Sequence, residues 1–119
     1  FISFSQTSMS CDYKEVCDWI SDTQVWSDDC SGNETSGLFV MNDTETMFTH
    51  TTPDLKSTYY VTSKESGKDG KFTYNIVSDV GNKYYAIFDL ENKEVRFVYL
   101  EPEDSSEWFM VRWYIKAIF

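Results

Sequence analysis

Short stretches of alternating apolar and polar residues, separated by turn formers, dominate the chain from Gly37 to its end. Val, Ile, Thr, Tyr, Phe and Trp are frequent in these stretches, and such residues favour strands. Asn42-Asp43, Pro53-Asp54 and Gly81-Asn82 are typical of the turns between them. The pattern predicts seven strands, at residues 38–41, 45–51, 57–63, 71–78, 84–90, 94–100 and 108–119.

The connections between these strands are too short for parallel crossovers, so the strands form an antiparallel up-and-down meander. Alternation with period two gives one continuous apolar face, which we expect to form the core. Its members are Phe72, Tyr74, Ile76, Tyr84, Ala86, Phe88, Leu90, Val95, Phe97, Tyr99, Phe109, Val111, Trp113 and Ile115. The opposite face mixes polar and apolar residues, which indicates that it is also partly covered.

The first 36 residues follow a different pattern. Tyr13, Val16, Cys17 and Ile20 lie at helical spacing, which predicts a short helix over residues 12–20. Residues 24–26 are predicted to add a strand, and residues 1–4 an edge strand.

The all-β chain is expected to form a single domain, residues 1–119, of about eight strands. A closed barrel is favoured because closure removes exposed strand edges; a two-sheet sandwich is the alternative. The outline resembles the lipocalin and wider calycin architecture, which implies a cavity for one small ligand. The Gly-x-Trp motif of the lipocalin first strand is absent, since Gln24-Val25 precedes Trp26, and the sequence places the chain in no family.

Charge narrows the list of partners. Twenty acidic and ten basic residues give a net charge of −10, which repels nucleic acids and anionic lipid surfaces. No stretch approaches the roughly 20 apolar residues of a membrane-spanning helix. The sequence therefore predicts neither a nucleic-acid partner nor membrane insertion.

Sequons and cysteines point to a secreted glycoprotein. Asn33 and Asn42 each begin an Asn-x-Thr sequon, and a chain that starts at Phe1 fits a product after signal removal. Cys11, Cys17 and Cys30 allow one disulfide, with Cys11–Cys30 and Cys17–Cys30 both open. The remaining thiol is buried, free or bridged to another chain, which leaves a homodimer open.

Catalytic chemistry has little support in the sequence. His50 is the one histidine and stands on a predicted strand, where we expect it to be partly exposed. No nucleophile motif or phosphate loop accompanies it, and the acidic turns lack the spacing of a calcium-binding loop. The chain is therefore predicted to be no enzyme and to need no cofactor or metal.

Five residues on the mixed face are candidates for ligand binding. Two guanidinium groups could orient a polar head while aromatic side chains take an apolar body. The five are Tyr85, Arg96, Trp108, Arg112 and Tyr114. The alternative is that the arginines point outward and pair with Asp89 or Glu94 across the strands.

Two functions follow from these patterns. The first is a secreted carrier or scavenger that holds a small apolar or amphipathic ligand in a barrel cavity. The second is a secreted recognition protein that binds another protein or a glycan through exposed aromatic residues. A cavity favours the first function, and a packed interior with aromatic side chains outside favours the second.

Overall fold

The computed structural model of the protein describes residues 7–68 and 70–119, apart from the side chains of residues 66–68. That part of the chain contains nine strands and one turn of 3-10 helix, at Ser105–Glu107. The strands are β1 (Thr7–Ile20), β2 (Val25–Trp26), β3 (Ser31–Met41), β4 (Met47–Thr51), β5 (Lys56–Lys68), β6 (Lys71–Ser78), β7 (Lys83–Asp89), β8 (Glu94–Tyr99) and β9 (Phe109–Ile118). All seven strands predicted after Gly37 are present.

The strands form a closed antiparallel barrel. Each strand from β3 to β9 pairs with the next along the chain, and β1 pairs with both β3 and β9. Eight strands therefore close the barrel, and β2 is an extra strand on the end of β1. The prediction of an up-and-down barrel is confirmed, and the sandwich alternative is not what the chain adopts.

The predicted helix over residues 12–20 is wrong, because this segment is the second half of β1. The pairing of β1 with both neighbours shifts register between Cys11 and Tyr13. This bulge changes which alternate residues face inward, so that Cys11 lies in the interior and Cys17 outside. The apolar residues of this segment therefore do not keep the period of two that is typical of a strand, and their spacing resembles that of a helix. The strand predicted at residues 24–26 is confirmed as β2, and residues 1–4 lie outside the described residues.

Strand β3 begins at Ser31, seven residues before the predicted start. Its first half is polar and glycine-containing, so it has no apolar alternation to reveal it. This half of β3 is nevertheless a strand, because it pairs with β1. The pairs run from Val16 opposite Ser31 to Cys11 opposite Gly37.

Aromatic side chains fill the middle of the barrel. Phe39 from β3 lies 6.4 Å from the ring of Phe88 and 5.7 Å from that of Phe97, both on the opposite wall. Trp113 from β9 packs edge-on against Phe39 at 5.9 Å. These side chains are at most 6% exposed. Each strand of the barrel contributes to this interior, as in small barrels whose side chains fill the lumen. The predicted core face is confirmed except at Tyr99 and Phe109, which are only partly buried and lie outside this core.

Gly37 provides the space that Trp113 occupies. A Cβ atom at this position would lie 2.8 Å from the indole ring, closer than van der Waals contact allows. A glycine on β3 is therefore needed so that the largest buried side chain can lie across the interior.

His50 also belongs to the interior, so the expectation of a partly exposed histidine is wrong. Its ring stacks on Phe39 at 4.2 Å and meets Trp113 edge-on at 4.8 Å. Its Nε2 has no hydrogen-bond partner among the residues that the structure describes. Burial, together with the positive charge of Lys14, lowers the pKa of His50 to about 4.

This burial makes stability depend on pH. The unfolded chain takes up a proton at His50 near pH 6.5, whereas the folded protein does so only near pH 4. Stability therefore falls as pH decreases through that interval. Between about pH 7.5 and about pH 5, we expect His50 to lower the free energy of unfolding by about 2 kcal/mol. His50→Phe should remove this loss while keeping an aromatic ring on Phe39.

Urea unfolding of both proteins at the two pH values measures the difference. His50 is the one histidine, so the variant has no histidine that titrates. The carboxylates are the same in both proteins, and their contribution cancels in the comparison. Equal losses in both proteins would show that His50 is protonated without cost in the folded state.

Candidate functional site

The five predicted ligand-binding residues lie on the outer face of the barrel, not on its inner wall. Tyr85, Arg96, Arg112 and Tyr114 alternate on β7, β8 and β9 with residues of the interior such as Ala86, Val95 and Trp113. Trp108 lies just before β9. The expectation that these residues line the inner wall is therefore wrong. The more apolar face of the sheet, which includes Ala86, Val95 and Trp113, faces the interior. A role of these five residues in ligand binding stays a prediction.

The two outer arginines are held by acidic side chains. Arg96 donates to Asp89 at 2.9 Å. Arg112 donates to Glu15 at 2.9 Å, and its Nε lies 3.0 Å from Glu94. Arg96 and Arg112 are direct cross-strand neighbours, so these acids also offset the repulsion between them. The alternative of outward arginines paired with Asp89 or Glu94 is the arrangement found.

Asp89 is buried although it is charged, with 2% of its surface exposed. Burial alone would raise the pKa of its carboxyl group. Hydrogen bonds from the backbone and side-chain amides of Asn92, together with the Arg96 charge, outweigh this effect and keep the pKa below its usual value. The Asp89–Arg96 pair is therefore a structural element of the β7–β8 hairpin.

Tyr114 and Trp108, two more of the five, are also engaged in contacts within the chain. The hydroxyl of Tyr114 donates to Glu15 beside Arg112. The indole N–H of Trp108 donates to the Pro102 carbonyl at 2.7 Å, and its ring lies 5.5 Å from that of Trp19.

A disulfide between Cys17 and Cys30 covers part of the outer face. It ties the end of β1 to the segment before β3 and forms, with Val98 and Met110, a small second core. Partly buried members of this cluster include Trp26. The mixed face of the meander is thus explained, since part of it packs beneath this segment. Cys11 is a free, buried thiol.

One end of the barrel interior remains open. A cavity of about 450 Å³ lies there, within the size range of small-molecule sites. We call this cavity the mouth; its lining consists of Thr7, Met9, Met41, Asn42, Asp43, Glu45, Lys64, Phe72, Tyr74, Phe88 and Leu90. The floor is apolar and belongs to the core, whereas the polar residues come from the β3–β4 turn and from β5.

Three side chains form a polar group at the rim of the mouth. The ammonium group of Lys64 lies 2.8 and 2.9 Å from the two carboxylate oxygens of Glu45. The hydroxyl of Tyr74 donates to the same carboxylate at 2.8 Å. These hydrogen bonds, first that of Lys64 and then that of Tyr74, lower the pKa of Glu45. A carboxylate is therefore held in its charged form at the entrance to an apolar cavity.

Glu45 adopts a backbone conformation that side chains rarely take, with φ of 56°. The turn is built on Asn42, whose side-chain oxygen accepts from the backbone N–H groups of Thr46 and Met47. Gln24 and Lys93 adopt the same conformation, and at Glu45 it accompanies the contacts with Tyr74 and Lys64.

A second concavity of about 540 Å³ lies on the outer side of β5 to β8. Tyr85, one of the five predicted residues, lines it with Val77, Val98 and Leu100. Tyr85 is 40% exposed. We call this surface the outer groove; its lining is mixed in polarity and shares no residue with that of the mouth.

Metal-ligating chemistry is limited in the described part of the chain. One group of three potential ligands lies within 4.8 Å, namely Glu15, Cys17 and Cys30. Both sulfur atoms belong to the disulfide, so neither is a thiolate. Within residues 7–68 and 70–119, no helix is long and apolar enough to cross a membrane.

The fold and the mouth define a class of protein: a closed eight-stranded antiparallel barrel, consistent with a lipocalin-like architecture, with an open apolar end. Comparison of the chain with protein-family models, curated proteins and solved structures gives no significant match. The functional assignment therefore rests on the geometry of this chain.

Sequence reasoning missed the rim of the mouth. Phe72, Tyr74 and Leu90 were expected in the core, but nothing in the pattern brings Glu45 and Lys64 together across 19 residues. One signal was available: Glu45 begins the predicted strand 45–51 and Lys64 directly follows the predicted strand 57–63, so both lie where a strand of the barrel would end. The pairing itself depends on the register of β4 against β5.

The disulfide gives a prediction about stability. Replacing Cys17 and Cys30 by Ser should lower the free energy of unfolding by about 3 kcal/mol, the usual effect of opening a loop of this length. The two cysteines are 13 residues apart. Urea unfolding measures the effect. Thiol titration of the unmodified protein in denaturant, without reductant, should give one thiol per chain, from Cys11. A count of three would contradict the bridge.

Proposed function

We propose that this protein is a secreted carrier or scavenger that holds a small amphipathic molecule in the mouth of its barrel. The observation that carries the proposal is that the barrel interior is filled in its middle but contains a cavity at one end. Phe39 and its neighbours fill the middle, whereas a cavity of about 450 Å³ with a floor of Met9, Met41 and Phe88 opens at one end.

The physical reason is the apolar surface at the mouth that the rest of the chain leaves uncovered, which belongs mainly to the half-buried side chains of Phe72 and Leu90. Apolar surface gains free energy when it is covered, at about 25 cal/mol per Å². A ligand with an apolar body would cover Phe72 and Leu90 and lie above Met9 and Met41, while its polar head stays at the rim beside Glu45 and Lys64. Methionine side chains adapt to occupants of different shape, which suits a scavenger.

The alternative, recognition of another protein or a glycan, is supported by the outer groove. Tyr85 offers an exposed ring there beside Val98 and Leu100. Aromatic side chains with a polar tip are common in such contacts. The mouth is favoured because its floor belongs to the core of the barrel and its lining is the more apolar of the two.

Secretion is part of the proposal, and the disulfide supports it. Bridges such as Cys17–Cys30 form and persist in oxidising compartments. Both sequons lie at the surface. Asn33 is exposed on β3, and Asn42 is half-buried in the β3–β4 turn.

Leu90→Glu tests the carrier function. The substitution places a charge beside the apolar floor, so we expect binding of octanol to the mouth to weaken at least about tenfold, because a buried, unpaired charge is costly. Leu55→Glu is the matched control, since Leu55 is 61% exposed and does not line the mouth. Isothermal titration calorimetry measures both, and circular dichroism checks that the strands persist.

If both variants bind octanol equally well, or if the unmodified protein does not bind it, the mouth is not an apolar ligand site. Protein or glycan recognition at the outer groove would then be the better hypothesis. Tyr85→Ala would test it against candidate partners.

The two sequons give a prediction about glycosylation. We expect glycan mainly at Asn33 after expression through a eukaryotic secretory pathway, because the side-chain nitrogen of Asn42 already donates to Thr46 within the turn. Intact-mass analysis of Asn33→Gln and Asn42→Gln variants measures the contribution of each site. Loss of most glycan in the Asn42 variant, or secretion without any glycan, would contradict the expectation.

A further inference from the structure

The rim of the mouth contains a complete site for an ammonium group, and a side chain of the protein occupies it. The Lys64 nitrogen lies against both carboxylate oxygens of Glu45. It also lies 5.3 Å from the ring centre of Phe72 and 5.9 Å from that of Tyr74. A carboxylate with aromatic rings within about 6 Å is the combination with which proteins bind organic cations.

We propose that the ligand of the mouth carries an organic ammonium head, which replaces Lys64 at Glu45 while its apolar body covers the floor. This inference rests on the proposed carrier function and adds the chemical class of the ligand. Lys64 then acts as an internal occupant that neutralises Glu45 while the mouth is empty.

Glu45 is the fixed member of the site. Its carboxylate accepts a hydrogen bond from Tyr74, whose side chain is 2% exposed and packed in the core. The left-handed backbone of Glu45 lies in a turn that Asn42 holds closed. The carboxylate therefore has two anchors that do not depend on Lys64.

Lys64 is the replaceable member. Its side chain is 37% exposed and that of Glu45 is 43% exposed, so exposure does not distinguish the two. The difference lies in their partners: the ammonium group has no other ion-pair partner among the described residues, whereas Glu45 also accepts a hydrogen bond from Tyr74. Exposed ion pairs of long, flexible side chains contribute little to stability. Lys64 can move into water and stay hydrated, while a ligand ammonium takes its hydrogen bonds.

The charge around the mouth selects a cation over an anion. An anionic head that paired with Lys64 would remain next to the carboxylate of Glu45 and close to Asp43, which also lines the mouth. Lys64 is the one basic residue among the described lining residues. The net charge of −10 adds a long-range attraction for cations.

Three probes with the same chain and different heads test this inference: octylammonium, octanol and octanoate. We expect octylammonium to bind the unmodified protein most tightly and octanoate most weakly. Glu45→Gln should weaken octylammonium binding about tenfold, because a charge-assisted hydrogen bond is lost. Lys64→Met should strengthen it several-fold, since the internal competitor is removed. Titration calorimetry gives all affinities.

Two matched controls keep the change of net charge equal. Lys83→Met removes a lysine that does not line the mouth, and Glu103→Gln removes an exposed carboxylate far from it in sequence. Neither should alter the ratio of octylammonium to octanol affinity. Both rim substitutions are at partly exposed side chains, so the barrel should remain folded, which circular dichroism checks.

The outcomes separate this inference from the carrier function. If octanol binds and Leu90→Glu weakens it, but octanoate binds more tightly than octylammonium and Lys64→Met abolishes the preference, the carrier function stands and the ammonium inference fails. Equal affinities for all three probes also overturn the inference. If none of the probes binds, the carrier function itself fails.

Discussion

The pairing of the first long strand with the last is the interaction on which the rest of this structure depends. β1 donates and accepts hydrogen bonds on both edges, to β3 and to β9, so the meander has no free edge along most of its length. Contacts such as that of Phe39 with Phe97 exist only because this closure brings opposite walls together. The same pairing carries Thr7 and Met9 to the mouth.

Closure also divides the interior into two parts. Large rings pack together in the middle, where the absence of a side chain at Gly37 leaves space for Trp113. His50 packs among these rings although its Nε2 has no hydrogen-bond partner among the described residues. Towards one end the inward side chains include Met9, Met41, Phe72, Phe88 and Leu90, and a cavity of about 450 Å³ lies against them. Aromatic rings therefore fill the middle of the barrel, whereas a cavity remains at one end.

On the outer face of the barrel, charged side chains form ion pairs with one another that stabilise the fold. Arg96 and Arg112 would repel each other across adjacent strands if Asp89, Glu15 and Glu94 did not neutralise them. The segment bound by Cys17–Cys30 covers apolar surface nearby. These residues are engaged within the chain, whereas the Glu45–Lys64 pair is partly exposed and opens onto an apolar cavity.

Local patterning determined most of the strands and their inward face, because alternation with period two is a property of residues close together in sequence. It could not reveal the bulge near Cys11, which made β1 resemble a helix, or the choice of Cys17 as the partner of Cys30. Local patterning also could not predict the rim of the mouth. Whether Glu45 meets Lys64 depends on strand register and barrel closure, which arise from contacts between distant segments, so only the tertiary structure decided where a ligand could bind.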